Sequence, residues 1–344
     1  MVNSTSRIII ETVVKKTLSD IKDSPERSIR NLVDMALHFS NGRFQHSFFE
    51  VAQTMLQNEN SPYYGLIEDT VCHVDSERIL HFGMNLGYNG CTLGAKVIRE
   101  IEAKENYNIP WMVTLKLDVW NFYLHLQEYQ TTILQGEEIG IYTWMLLPTG
   151  TPEKLLSLVR EHSDSAFVLF CTPDDITPPF MDSVSEINNL MLVIRYEEAT
   201  EEVCERLRKA KMLYSVYYCY NDADEKYITE GDLFYSTQQL HPVFTVLLAE
   251  PECSDVVREH VYDEVQQARN HQLFQTIAWE FTCDSNLIDS VISSDSCVAV
   301  FDSDGYLITS KESNTDGAFN LLRNNLSHIL KLAFPKHNTE ENMV

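Results

Sequence analysis

The sequence predicts an α/β chain, a partial or full (β/α) barrel preceded by an N-terminal helical segment, with a doubly wound parallel sheet as the alternative. Three observations point there. From about residue 78, short apolar runs alternate with longer stretches of helical spacing, the pattern of a parallel sheet with crossover helices. Six or more such units follow one another, which favours a barrel over an open doubly wound sheet. The first sixty-odd residues carry helical spacing only. The expected organisation is a helical segment over 1–74, a barrel over 75–282 and a hairpin-and-helix extension over 283–344.

Taken in order, Ser24-Pro25-Glu26-Arg27 places an N-cap ahead of a proline at the first helical position. Ile29, Leu32, Val33, Ala36 and Leu37 then recur at helical spacing. After Asn41-Gly42, Phe44, Phe48, Val51, Ala52 and Met55 do the same up to Asn60-Ser61-Pro62, giving a helical hairpin with an apolar face. Strands are expected over Ile79–Asn85, Trp111–Leu117, Ile141–Leu147, Ala166–Cys171, Leu190–Tyr196, Leu213–Tyr220, Val243–Leu248 and Thr276–Thr282. Helices fall between the first six, over Ala95–Lys104, Asn121–Glu138, Pro152–His162, Thr177–Asn188 and Thr200–Lys211. The tail CVAVFDSDGYLI reads as a hairpin turning at Asp304-Gly305, followed by a closing helix.

Composition narrows the function. Of 344 residues, 44% are apolar and 22% charged, ordinary for a globular chain. Fifty-one acidic residues against 26 basic give a net charge of −25, a field that repels nucleic-acid backbones and anionic membranes. No segment approaches 18 uninterrupted apolar residues, and the start MVNSTSRIIIETVVKKTLSD has only a three-residue apolar core, so neither a membrane span nor a signal peptide is expected. The eight cysteines form no CxxC pair and read as reduced cytoplasmic thiols.

Candidate site residues come from strand ends, where barrels place their sites. Asn85, Asp118, Thr149, Thr172, Arg195 and Tyr220 end the expected strands. Thr114, Lys116 and Asp118 share one face of their strand, and Arg195 and Glu197 one face of theirs, so polar groups point towards an open interior, or form an ion pair or a solvated strand end. In NLGYNGCTLGAKV, Gly87, Gly90 and Gly94 sit between an expected strand and a helix. Their spacing is neither GxGxxG nor a P-loop, and no acidic residue sits about twenty positions on at the end of strand two; a tight turn explains them better. Cys91 has no evident histidine or cationic partner to activate it. Asp302-x-Asp304-Gly305 lacks the remaining ligands of a calcium loop. No Ser-His-Asp set and no HExxH is present.

The middle of the chain resembles radical SAM enzymes. The stretch EEIGIYTWMLLPTGTP, Glu137 to Pro152, is similar to the third βα unit of that family, in which a helix ends in a Gly-Ile step and the strand closes in Thr-Asn-Gly-Thr. AFVLFCTPDD then stands where the family's fourth strand would. CVAVFDSDGYLITSKESNTDGAFNLL resembles its SPASM-like tail, and the likeness of pattern covers about residues 78–332. The resemblance implies a partial TIM-like barrel. It also implies three thiolates in a CxxxCxxC arrangement after strand one, holding a [4Fe–4S] cluster, and a Gly-Gly-Glu end to strand two, holding SAM. NLGYNGCTLGAKV offers one thiol at the first place, Lys116-Leu117-Asp118-Val119-Trp120 stands at the second, and the tail keeps only Cys283 and Cys297.

No SAM, cluster or other cofactor is therefore expected. The leading expectation is a cytoplasmic, cluster-less barrel acting as a binding or accessory protein for a peptide or partner enzyme, through Asn85, Gly87, Gly90, Cys91, Thr149, Thr172 and Tyr220. A second is an enzyme with Asp118 or Glu197 as base and Arg195 as anion clamp. A third is an interaction protein docking through its N-terminal helices.

Overall fold

The computed structural model describes residues 5–39, 43–293, 295–309 and 315–336. Nine strands form one sheet: β1 (Met112–Asp118), β2 (Thr143–Thr149), β3 (Ala166–Cys171), β4 (Leu190–Arg195), β5 (Tyr214–Tyr220), β6 (Phe244–Ala249), β7 (Ile277–Glu280), β8 (Ala299–Phe301) and β9 (Leu307–Ile308). Their order is β7-β6-β5-β4-β3-β2-β1-β8-β9. β1 to β7 thus lie side by side in chain order, the winding of a (β/α) barrel left open, and not the reversed order of a doubly wound sheet. β8 pairs parallel with the free side of β1, and β9 returns antiparallel to β8. The turn between them uses Gly305 at φ +84.

One expected strand is corrected. Residues Ile79–Asn85 are helical: Ser76–Gly83 is an α-helix, Met84–Gly94 winds as a π-helix, and Ala95–Glu105 continues as an α-helix. The expectation failed because Leu80, Phe82 and Met84 are buried while His81 and Gly83 are exposed, an alternation that a short helix end can share with a strand. Two local groups decide for helix. Asp75 caps its start, accepting from the Glu77 amide at 2.9 Å. Arg78, buried, donates to the carbonyls of Val184, Ser185 and Ile187 where the helix Pro178–Val184 ends.

By contacts the chain forms two compact units, Met1–Met84 with Val168–Ser285, and Asn85–Phe167 with Asn286–Val344. This is a different division from 1–74, 75–282 and 283–344, because the tail packs with the early strands. In the first unit the helices Pro25–Phe39 and Arg43–Met55 form the expected hairpin; the Asn41-Gly42 turn and the side chains of Phe44 and Phe48 lie outside the described residues. Its core sets one face of β5–β7, through Tyr220, Leu247 and Ala278, against Phe234, Val261 and Phe274 of the covering segments. In the second unit Val113, Leu115, Trp144, Leu146 and Phe301 are buried on one face of β1, β2 and β8. Gly136 of the helix Leu126–Glu138 lets Trp144 in; a Cβ there would lie 2.4 Å from the indole. Among the described residues no helix is long and apolar enough to cross a membrane.

Candidate functional site

In the second unit, the ends of β1 and β2 come together: Asp118 pairs in register with Thr149, and Lys116 with Leu147. Lys116 and Thr149 are exposed and Asp118 is half-buried. Asp118 is occupied as a helix cap. Its Oδ1 accepts from the amides of Trp120 (3.1 Å) and Asn121 (2.9 Å), starting the six-residue helix Val119–Leu124. That helix buries Val119 and Phe122 and turns Trp120, Tyr123 and Leu124 outward, 74%, 70% and 76% exposed. Trp120, Tyr123 and Leu124 thus lie at i, i+3 and i+4 on one exposed face of the helix.

The helix is held in place on its buried side. Phe122 packs on Tyr129 with ring centroids 5.4 Å apart, and Asn121 Nδ2 donates to the Ser303 carbonyl in the β8–β9 turn at 2.5 Å. Burial pushes the Tyr129 phenol well up, and the charges of Asp302, Asp304, Asp118 and Glu128 push the same way. Lys154 Nζ stands 4.7 Å from the Trp120 ring centroid, over its face.

Thr172, Arg195 and Tyr220 lie in the first unit. Arg195 pairs in register with Tyr217, and its Nε is 3.8 Å from Glu197 Oε2, both side chains about half exposed (48% and 44%). This loose pair is a solvated strand end. Phe170, Tyr217 and Phe281 pack edge to face, with centroids 5.2 and 5.8 Å apart. The interior face is thus more aromatic here than the alternation had implied. Thr172 is engaged in a capping box with Asp175, donating from Oγ1 at 2.8 Å. Tyr220 is fully buried on the opposite face, its hydroxyl 3.3 Å from Glu280 Oε1. That contact, which sequence reasoning missed, pairs a phenol and a carboxyl that burial pushes up in both cases. Between the N-terminal helices a cavity of about 330 Å³ is lined by Arg30, Val33, Asp34, Gln53, Leu56 and Gln57.

The stretch Asn85 to Gly94 is a packed helix and not a loop. Asn85, buried, donates to the carbonyls of Ser163 (2.8 Å) and Ser165 (3.0 Å), and Asn89 to that of Asp164 (2.7 Å). A Cβ on Gly94 would sit 2.2 Å from the Gly140 carbonyl oxygen, and one on Gly90 3.2 Å from Thr143 Oγ1. Two of the three glycines are therefore there for close packing against the chain entering β2. Gly87 alone faces open space. Burial pushes the Cys91 thiol up to about 12, the reverse of an activated nucleophile or a ready metal ligand.

This moves the expected correspondence by one unit. With Ile79–Asn85 helical, strand one of the sheet is β1, and the segment after it is Val119–Leu124. No cysteine occurs between Cys91 and Cys171, so that segment has no thiol where a CxxxCxxC set would supply three. Strand two is β2, and it ends Thr149-Gly150-Thr151, with Gly150 at φ +96 and threonines in place of the first Gly and the Glu. The residues present do not fit a [4Fe–4S] cluster. Among the described residues no group of three or more His, Cys, Asp or Glu is placed to hold a metal ion.

The winding of the sheet defines the class of fold, an open (β/α) barrel with N-terminal helices. Neither a protein-family profile nor a curated protein matches the chain. Among solved structures, it is similar to Streptococcus suis SuiB bound to S-adenosylmethionine, with TM-score 0.47 and 9% identity over 68% of this chain and 67% of that one. SuiB bound to its precursor peptide SuiA gives the same TM-score and identity over 68% of each chain. anSMEcpe with bound AdoMet and Cp18Cys peptide gives 0.42 and 10% over 66% of this chain and 84% of that one.

Proposed function

We propose that this chain is a binding or accessory protein that docks a peptide or protein partner on the Trp120–Tyr123–Leu124 face, without cluster chemistry. The observation that carries the reading is the pairing of two facts at one place. The segment after strand one has no thiol, and it presents three apolar side chains at 70% exposure or more. A cluster site needs converging thiolates shielded from water, whereas a docking site needs anchors that lose water only when a partner arrives. Asp118, the candidate base of an enzymatic reading, already spends its carboxylate on two backbone amides.

Anaerobic reconstitution with iron and sulfide tests the absence of cluster chemistry. The expected result is substoichiometric iron and no broad visible absorbance; about four irons per chain, as in a single [4Fe–4S] centre, overturns the reading.

A further inference from the structure

We propose that the cavity between the N-terminal helices binds a small aliphatic α-amino acid as its zwitterion, at a site separate from the Trp120–Tyr123–Leu124 face. The helix Pro25–Phe39 supplies Arg30, Val33 and Asp34 to one wall; Gln53, Leu56 and Gln57, at the end of the helix Arg43–Met55 and just past it, supply the other. The space between them is about 330 Å³, within the ~300–1,000 Å³ of small-molecule sites. The residues on each wall stand at i, i+3 and i+4, so each triplet shares one side of its helix.

Two observations select the occupant. Arg30 and Asp34 stand one helical turn apart, the spacing at which opposite charges ordinarily pair, yet no ion pair joins them among the described residues. Each is held by a neutral partner instead. Arg30 Nε donates to the Tyr64 hydroxyl at 2.6 Å, with the guanidinium 5.5 Å from that ring's centroid. Its Nη2 makes no hydrogen bond among the described residues, and Glu59, 77% exposed, comes no nearer to it than 3.7 Å. Asp34 Oδ1 accepts from Gln53 Nε2 of the facing wall at 2.7 Å. A cation and an anion are thus fixed apart at one cavity. The second observation is apolar: Val33, half-buried, and Leu56, buried, line the same space. The ligand that satisfies all of this sets a carboxylate on Arg30, an ammonium on Asp34 and an aliphatic side chain over Val33 and Leu56. It carries no net charge, so the field of a chain at −25 does not repel it as it would a free anion.

The test is titration calorimetry on the full chain with L-leucine and two analogues: isopentylamine, which lacks the carboxylate, and isocaproate, which lacks the ammonium. The variants are Arg30→Gln, Asp34→Asn and Val33→Phe, each checked by circular dichroism melts. Asp34→Asn keeps the acceptor for Gln53, so it tests the charge alone even if Arg30→Gln, which gives up the Tyr64 contact, fails to fold. The expected result is binding of leucine, with both analogues at least about tenfold weaker, since a hydrogen bond to a charged group contributes a factor of ten or more. Arg30→Gln and Asp34→Asn should each weaken leucine by a similar factor, and Val33→Phe, which fills the cavity, should abolish binding. No heat from leucine up to about 10 mM, ten times a ~1 mM dissociation constant, overturns the proposal. Isopentylamine binding as tightly as leucine reduces the effect to attraction by a negative surface, and isocaproate doing so reduces it to Arg30 alone; either result overturns the zwitterion. Leucine binding that Asp34→Asn and Val33→Phe both leave unchanged places the ligand elsewhere and also overturns it. None of these outcomes touches the docking function, which rests on a different face.

Discussion

Gly94 and Gly140 meet backbone to backbone: a Cβ on either would lie 2.2 or 2.5 Å from the other's carbonyl oxygen. Gly140 also holds φ +97, which only glycine adopts without strain. Gly94→Ala should therefore cost about 1–3 kcal/mol in urea unfolding, while Gly87→Ala, with open space around it, should leave the midpoint unchanged or slightly raised. Equal effects of the two would refute the packing account of this stretch. Asp289 is the other residue with a measurable consequence. It is fully buried, and its Oδ1 accepts from the Trp111 amide at 3.0 Å. Burial outweighs the backbone donors and pushes its carboxyl up to about 8. In the unfolded chain the group ionises near ~3.9. Between those values the folded state holds a proton that the unfolded state has released, so this group's contribution falls as pH rises from about 4 to 8. Asp289→Asn cannot ionise, and its melting temperature should decline less between pH 5 and pH 8 than the wild type's; parallel declines would contradict the buried, protonated state.

The helix Val119–Leu124 is short enough that its cap decides whether it forms. Asp118→Ala should destabilise by about 1 kcal/mol, whereas Asp118→Asn, an equally good cap, should be close to neutral. A large loss in Asp118→Asn would mean that the charge matters for more than capping. At this scale the sequence was legible where apolar runs were bounded by turn residues: seven of the eight expected strands lie within two residues of β1–β7 and the segments between them. Ile79–Asn85 was not legible, because its burial alternates like a strand's while its winding is fixed by Arg78 reaching carbonyls more than a hundred residues away. The exposed face of Val119–Leu124 was missed for a related reason. Trp120, Tyr123 and Leu124 look in sequence like the apolar start of a core helix, and only the burial of Phe122 beside them shows which face is turned inward. Tyr220 was misplaced by parity: counting from the strand end did not reveal that it faces the covering helices.

Over the whole molecule, fifty-one acidic residues stand against twenty-six basic ones. Ion pairs such as Arg208–Asp69 and Arg269–Asp284 neutralise some of this locally, but the net field remains repulsive. Raising sodium chloride from about 0.01 to about 0.15 M shortens the Debye length from ~30 to ~8 Å, and the melting temperature at pH 7 should rise. A fall would show that attractive pairs dominate. The fold class could be read before any coordinates because strand-helix alternation is a property of the whole chain. That no CxxxCxxC run occurs could also be read from the cysteine positions, though which segment follows the first strand of the sheet could not.

The pairing of β8 with β1 sets a timetable. Val113 and Leu115 find Ala299 and Phe301 as their neighbours, so one side of the first strand waits for chain made much later. At ~5–20 residues per second of synthesis, the wait is roughly ten to forty seconds. Throughout that time β1 presents unpaired amides and carbonyls beside an apolar surface, a template for any other strand in reach. The ribosome, and whatever attends the nascent chain there, meets this protein as an unfinished edge.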